Sequence, residues 1–198
     1  MKPAILGGPP RFPDGVPIAR PAVPPLDAVV DLLRPSYESG MLTNSRLVRR
    51  LEEEAAERLQ VAHVVAVASC TSGLLLTVQA LAGRGGHAVL PSFTFSATAH
   101  AAAWNGLTPV FAECDATSFQ LDVADAGARL ERADAAVLLA THVFGAPSRA
   151  EAIEKLGADH GVPVVFDAAH GFGASRAGRP LGGFGNAEIF SLSPTKPV

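Results

Sequence analysis

The apolar and polar positions change period along the chain. Residues 1–25 are rich in proline and glycine and show little periodicity, which predicts an extended arm and not a domain. Residues 26–33 fit a short helix that should stop before Pro35. Residues 37–43 read as a loop. Leu47, Leu51, Ala55 and Leu59 then recur every fourth residue, the stripe of an amphipathic helix that Asn44 or Ser45 can cap. Beyond it, short apolar runs alternate with helical stretches. Residues 64–67, 88–90, 109–111, 136–139, 164–166 and 187–191 predict strands, several of them apolar on both faces as in a buried parallel sheet. Helices are predicted over 72–81, 96–104, 123–130 and 149–160, the first apolar on nearly every face. Strands alternating with helices imply βαβ units. The fold expected is therefore α/β, a mostly parallel sheet with helices on both faces in three α/β/α layers.

Composition narrows the function classes. Nearly half of the 198 residues are hydrophobic, enough for one domain with a real core. A formal net charge of -3 argues against a nucleic-acid or anionic-membrane partner. Arg46, Arg49 and Arg50 stand beside Glu52, Glu53 and Glu54, which reads as the solvated face of a helix. The two cysteines, Cys70 and Cys114, lie far apart and make neither a disulfide framework nor a zinc pattern, so a reduced, cytoplasmic protein is expected. The N-terminus has no apolar core of a signal peptide, and no apolar run reaches the length of a membrane span.

In an open α/β sheet, ligands bind outside the carboxyl ends of the strands. After 64–67 comes Ala68-Ser69-Cys70-Thr71-Ser72-Gly73 and then a helix. The free N–H groups and dipole of such a helix start suit a phosphate, although a plain cap by Thr71 or Ser72 fits the same residues. There is no Gly-Lys-Ser/Thr and no GxGxxG, so Walker-type and dinucleotide sites get no support here. After 88–90 come Phe93 and Phe95, able to stack on a flat ring or to join the core. After 164–166 comes Asp167-Ala168-Ala169-His170-Gly171-Phe172-Gly173. A carboxylate directly after a buried strand is costly unless paired. Its partner can be a protonated pyridine nitrogen, a helix start that it caps, or a metal shared with His170, for which two ligands alone are thin support. Lys196, taken by itself, reads as a solvated tail.

Five segments together carry a resemblance. They are Gly40-Met41-Leu42-Thr43, Ser69-Cys70-Thr71-Ser72-Gly73-Leu74, Pro91-Ser92-Phe93-Thr94-Phe95, the Asp167 segment through Ala174, and Phe190-Ser191-Leu192-Ser193-Pro194-Thr195-Lys196. In order and spacing the chain resembles the DegT/DnrJ/StrS family of sugar aminotransferases that use pyridoxal 5'-phosphate (PLP), of the aspartate-aminotransferase fold. The resemblance implies that Lys196 is the Schiff-base lysine, which must react as a neutral amine. It implies that Asp167 pairs the pyridine nitrogen and keeps the ring an electron sink. It further implies that Phe95 stacks on the ring, that Thr71, Ser72 and Ser191 hold the phosphate, and that His170 faces the cofactor's 3-hydroxyl, where many members carry glutamine. No metal is implied. The implied reaction moves an amino group from glutamate or glutamine to a keto sugar, usually on a nucleotide carrier, in a homodimer.

The resemblance covers about the first half of a typical member, from residue 40 onward. The expected organisation is thus an arm over 1–25 and an incomplete PLP-binding large domain over 26–198, with the C-terminal small domain absent. A sheet lacking a strand would leave an unpaired edge. A non-catalytic PLP-binding fragment, or a partner of a full-length relative, is the alternative. Sugar dehydration on the same scaffold is a third reading, against which the presence of Lys196 argues. The Gly40–Thr43 loop and His142 are further candidates to reach the site, His142 being more often structural.

Overall fold

Five of the predicted runs find ladder partners in the computed structural model, which describes residues 2–17, 20–83 and 85–196. They are β1 (His87–Pro91), β2 (Thr108–Ala112), β3 (Ala135–Thr141), β4 (Val164–Ala168) and, after a two-stranded hairpin of β5 (Ser175–Arg176) and β6 (Arg179–Pro180), β7 (Ala187–Phe190). All pairings in the large sheet are parallel, in the order β2-β1-β3-β4-β7. The helices are α1 (Leu26–Ser39), α2 (Arg46–Leu59), α3 (Cys70–Ala82), α4 (Ser96–Trp104), α5 (Val123–Leu130) and α6 (Ala150–His160).

Alternation along the strands separates two cores. Val89, Leu138, Ala140, Val164 and Phe166 face α5 and α6, packing with Ala126, Leu130 and Ile153. Leu90, Val137, Leu139, Val165 and Ile189 face α3 and α4, packing with Leu74, Val78, Ala97 and Ala101. Each fully buried Leu, Val or Phe contributes about 1.5–3 kcal/mol by leaving water. The alanines of α4 let it lie close to the sheet. Asn105 ends that helix and ties it to α3, its amide donating to the carbonyls of Leu75 at 3.0 Å and Ala101 at 2.8 Å. Gly73 serves the same closeness on α3, since a Cβ there would stand 2.9 Å from Ile189 of β7.

Three expectations are corrected. The first helix does not stop before Pro35 but runs on to Ser39. Pro35 removes one helical donor, and the carbonyl it leaves, that of Asp31, belongs to an exposed residue that water can serve. The helix ends instead at Gly40, whose φ of 71° and N–H to Tyr37 carbonyl make the cap. Second, residues 64–67 form no strand. Val65 is 76% exposed, and the Ala66 N–H is held by the Glu52 carboxylate at 2.8 Å and not by a ladder. The run lies along a cleft of about 730 Å³ whose other side includes Ala187, Glu188, Ile189 and Phe190 of β7. β-branched residues favour a strand only where a neighbouring strand is in pairing reach. Third, α3 is not buried on every face, for Leu76 is 58% exposed.

Candidate functional site

The order of the sheet reverses between β1 and β3, because β2 follows β1 on one side and β4 follows β3 on the other. Such a switch point opens a crevice at the carboxyl ends of the strands. A cavity of about 280 Å³ lies there. Its wall is built from residues at the strand ends: Phe93, Thr94 and Phe95 after β1, Thr141 to Phe144 at the end of β3, Asp167, Ala169 and His170 at the end of β4, and Lys196 after β7. Phe93 and Phe144 pack edge to face, with ring centroids 6.1 Å apart, and Phe144 holds a left-handed φ of 54°. Backbone strain of this kind in a non-glycine residue gathers at ligand sites.

Asp167 is 3% exposed. Alternation along β4 puts it on the α4 side of the sheet, where the Thr98 hydroxyl donates to Oδ2 at 2.7 Å. The Ala169 N–H donates to Oδ1 at 3.1 Å. Two donors compensate part of the cost of the buried carboxylate. Lys196 Nζ lies 2.8 Å from His170 Nε2. An ammonium can only donate, so His170 accepts there as a neutral imidazole. Burial, and next the charge of Lys196, hold the His170 pKa below its ordinary value, against an opposite effect of Asp167. Cys70 stands close enough to feel both charges. Burial first, then Asp167, pushes its thiol up to about 12, so it is an inert hydrogen-bond donor to the Ile189 carbonyl.

The predicted site residues thus divide. Phe95, Asp167, His170 and Lys196 line one cavity, with Phe95 74% exposed at its rim. Thr71, Ser72 and Ser191 do not line it. Thr71 and Ser72 sit in the first turn of α3, whose cap is Ser69 and neither of them, the Ser69 hydroxyl accepting from the Ser72 N–H at 3.1 Å. Ser191 borders the adjoining cleft together with Ser69 and Cys70. The Gly40–Thr43 loop lines neither space. Among the described residues no group of three or more His, Cys, Asp or Glu could hold a metal, and no helix is long and apolar enough to cross a membrane.

His142 borders the cavity, yet its ring is bound elsewhere. It stacks on Phe166 at 4.9 Å, accepts the Ser148 N–H at Nδ1 (3.0 Å) and meets Glu188 Oε1 with Nε2 at 3.3 Å. Since Nδ1 accepts, Nε2 carries the proton and donates to Glu188. Sequence reasoning passes over Glu188, which reads as an ordinary polar residue in a strand. It passes over Thr94, Thr98 and Thr141 as well, whose hydroxyls link into a line that ends on Asp167. A four-residue spacing of threonines at a helix start is the available signal.

Glu188 supplies a prediction. Its side chain is fully buried, and among the described residues Oε2 has no partner. Burial raises its pKa, and the His142 contact offsets this only in part. A raised folded pKa means that stability is intact below the unfolded carboxylate range and is lost as pH rises through the folded value. Glu188→Gln keeps the acceptor for His142 and removes the charge. It is expected to match the parent near pH 4 and to be more stable by about 1 kcal/mol or more at pH 8. Thermal unfolding across that range checks this, and a variant less stable at pH 8 than at pH 4, relative to the parent, contradicts it.

The comparisons with known proteins agree on the family. The profile of the DegT/DnrJ/EryC1/StrS aminotransferase family matches residues 27–198. A dTDP-4-amino-4,6-dideoxy-D-glucose transaminase of Escherichia coli is 32% identical over 167 residues, 82% of this chain and 44% of its own length. A UDP-N-acetyl-3-dehydro-alpha-D-glucosamine 3-aminotransferase of Acidithiobacillus ferrooxidans is 37% identical over 149 residues, 75% of this chain and 40% of its own. Among solved structures, DesI in the presence of its TDP-sugar product superposes with a TM-score of 0.87 at 36% identity, over 98% of this chain and 49% of DesI. The chain therefore spans less than half the length of the curated relatives it matches.

Proposed function

The chain belongs to the DegT/DnrJ/EryC1/StrS aminotransferase family, and from that premise we propose that it is the cofactor-binding part of a PLP-dependent aminotransferase. The reaction moves an amino group from glutamate or glutamine to a keto sugar carried on a nucleotide, in amino-sugar or secondary-metabolite synthesis. One observation carries the reading: a lysine amine and a buried carboxylate share the cavity at the sheet's switch point. The nucleotide-sugar names of the relatives support the substrate class.

The residues fit PLP. Asp167 is a buried carboxyl group lining the cavity, suited to a protonated pyridine nitrogen. Phe95 offers an exposed aromatic face at the rim. The first turn of α3, with Thr71 and Ser72, and Ser191 across the adjoining cleft would hold the phosphate through N–H and hydroxyl donors. When bound, PLP supplies the electron sink and the carbonyl that carries the amino group. Lys196 would hold PLP through Nζ, and its amine, once freed, would carry the proton at the reacting carbon. His170, neutral at Nε2, would accept a hydrogen bond from the lysine and orient its amine. Asp167, held by Thr98 and the Ala169 N–H, would fix the ring's orientation. Phe93 and Phe144, packed edge to face, would cover one side of the bound ring.

Residues 1–25 act as an arm, and 26–198 as the large domain. The protein works in the cytoplasm, and it does so as a homodimer; the second reading is supported by the face of α1. That helix buries only Ser36 and leaves Leu26 and Tyr37 more than 70% exposed. The test is spectral. Bound PLP absorbs visible light, and glutamate is expected to convert it to the amino form with loss of that band. A band that glutamate leaves unchanged would mark a protein that only holds PLP.

A further inference from the structure

Three threonines join Asp167 in one hydrogen-bonded line. Thr98 Oγ1 donates to Asp167 Oδ2 at 2.7 Å, Thr94 Oγ1 lies 2.8 Å from Thr98 Oγ1, and Thr141 Oγ1 lies 2.8 Å from Thr94 Oγ1. Each hydroxyl has a single proton. A carboxylate only accepts, so the proton of Thr98 is committed to Asp167. Thr94 must then donate to Thr98, and by the same count Thr141 must donate to Thr94. The direction is fixed along the whole line, from the end of β3, through the segment after β1, to the end of β4. Thr98 is fully buried on α4, while Thr94 and Thr141 border the cavity.

We propose that Thr141, Thr94 and Thr98 form a one-way hydroxyl relay that holds Asp167 as an anion aimed at a protonated ring nitrogen. Thr98 is accordingly a positioning residue for the reaction. The proposal rests on the PLP reading and adds to it the residues that keep the aspartate in its working state. A proton on Oδ2 would make that oxygen the donor, and Thr98 would then have to turn its own proton back toward Thr94. Oriented toward Oδ2, the line favours the charged carboxylate, because a hydrogen bond donated to a charged acceptor is stronger than one to a neutral carboxyl. Hydroxyls linked this way strengthen one another. Loss of the hydroxyl nearest the carboxylate should matter most.

The experiment measures binding of PLP, and of an analogue with CH in place of the ring nitrogen, to the parent and to Thr98→Val, Thr98→Ser, Thr94→Val and Thr141→Val. Valine keeps the shape of threonine and removes the hydroxyl. Thr98→Val is expected to weaken PLP binding by about 10- to 100-fold, the loss of one hydrogen bond to a charged group. Thr98→Ser should restore it to within about 3-fold, less than half the logarithmic loss. Thr94→Val and then Thr141→Val should have progressively smaller effects. The analogue has no cationic nitrogen, so its affinity should be the same for parent and Thr98→Val. Equal weakening of both ligands, or no rescue by serine, would reduce Thr98 to packing and overturn the relay. A parent that binds PLP no better than the analogue would overturn the pairing of Asp167 with the ring nitrogen and the relay with it, whereas a parent that binds neither would overturn the PLP reading itself.

Discussion

Lys196→Ala is expected to eliminate borohydride-stable attachment of PLP and the visible band that accompanies it. In the complete protein it should also lower amino transfer by at least about 10²–10⁴-fold, the usual contribution of a positioned acid–base group. The reason is local. The chain has three lysines. Lys155 is exposed and paired with Asp159 at 2.6 Å, Lys2 lies in the arm, and only Lys196 borders the cavity that holds Asp167. Its amine is already engaged by the neutral Nε2 of His170 at 2.8 Å. That contact also gives a pH direction. His170 is held below its ordinary pKa, so it stays neutral through neutral pH and charges only as pH falls through its lowered value. Protonation turns its acceptor into a donor and sets two cations together. Capture of PLP should therefore weaken toward acid, and His170→Gln, which keeps an acceptor that does not titrate, should flatten that fall.

Asp167→Asn carries the second large effect. The amide fits the space of the carboxylate and can still accept from Thr98, but it offers no charge to a protonated pyridine nitrogen. Transfer in the complete protein is expected to drop by about 10²–10³-fold, in line with the loss of one preorganised electrostatic contact. Covalent capture by Lys196 should survive, because the lysine itself is untouched. This separates the two variants: one removes the attachment, the other leaves the attachment and removes the charge that drives the chemistry. Asp167→Asn with undiminished transfer, measured by conversion with glutamate, would remove the aspartate from the mechanism.

Much of this site is legible in the sequence because the strands are. Runs such as 136–139 and 164–166 are apolar on both faces, and a parallel strand buried between two helical layers has no other pattern. Once β4 is placed, Asp167 at its end is conspicuous, as a carboxylate where water is scarce. Lys196 is not legible in that way. Its position depends on the chain after β7, and only the set of segments sharing one order points to it. Residues 64–67 mislead, because β-branched residues report a preference that a ladder partner must realise. Pro35 misleads for a related reason, since a lost donor costs little where the carbonyl meets water. The threonine line is invisible in the sequence because it joins residues 47 and 69 positions apart. Only the folded sheet brings Thr94, Thr141 and Asp167 to one edge. Glu188 and His142 meet likewise across β3 and β7, and nothing in either local sequence announces the pair.

The chemical address of the cofactor gives the most direct test of the proposed mechanism. The protein is incubated with PLP, reduced with borohydride, digested, and its peptides weighed. The added mass of a reduced pyridoxyl group is expected on the peptide that contains Lys196, none on those with Lys2 or Lys155, and none anywhere in Lys196→Ala. Label on Lys155 or Lys2 in the parent, or label that persists in Lys196→Ala, would contradict it.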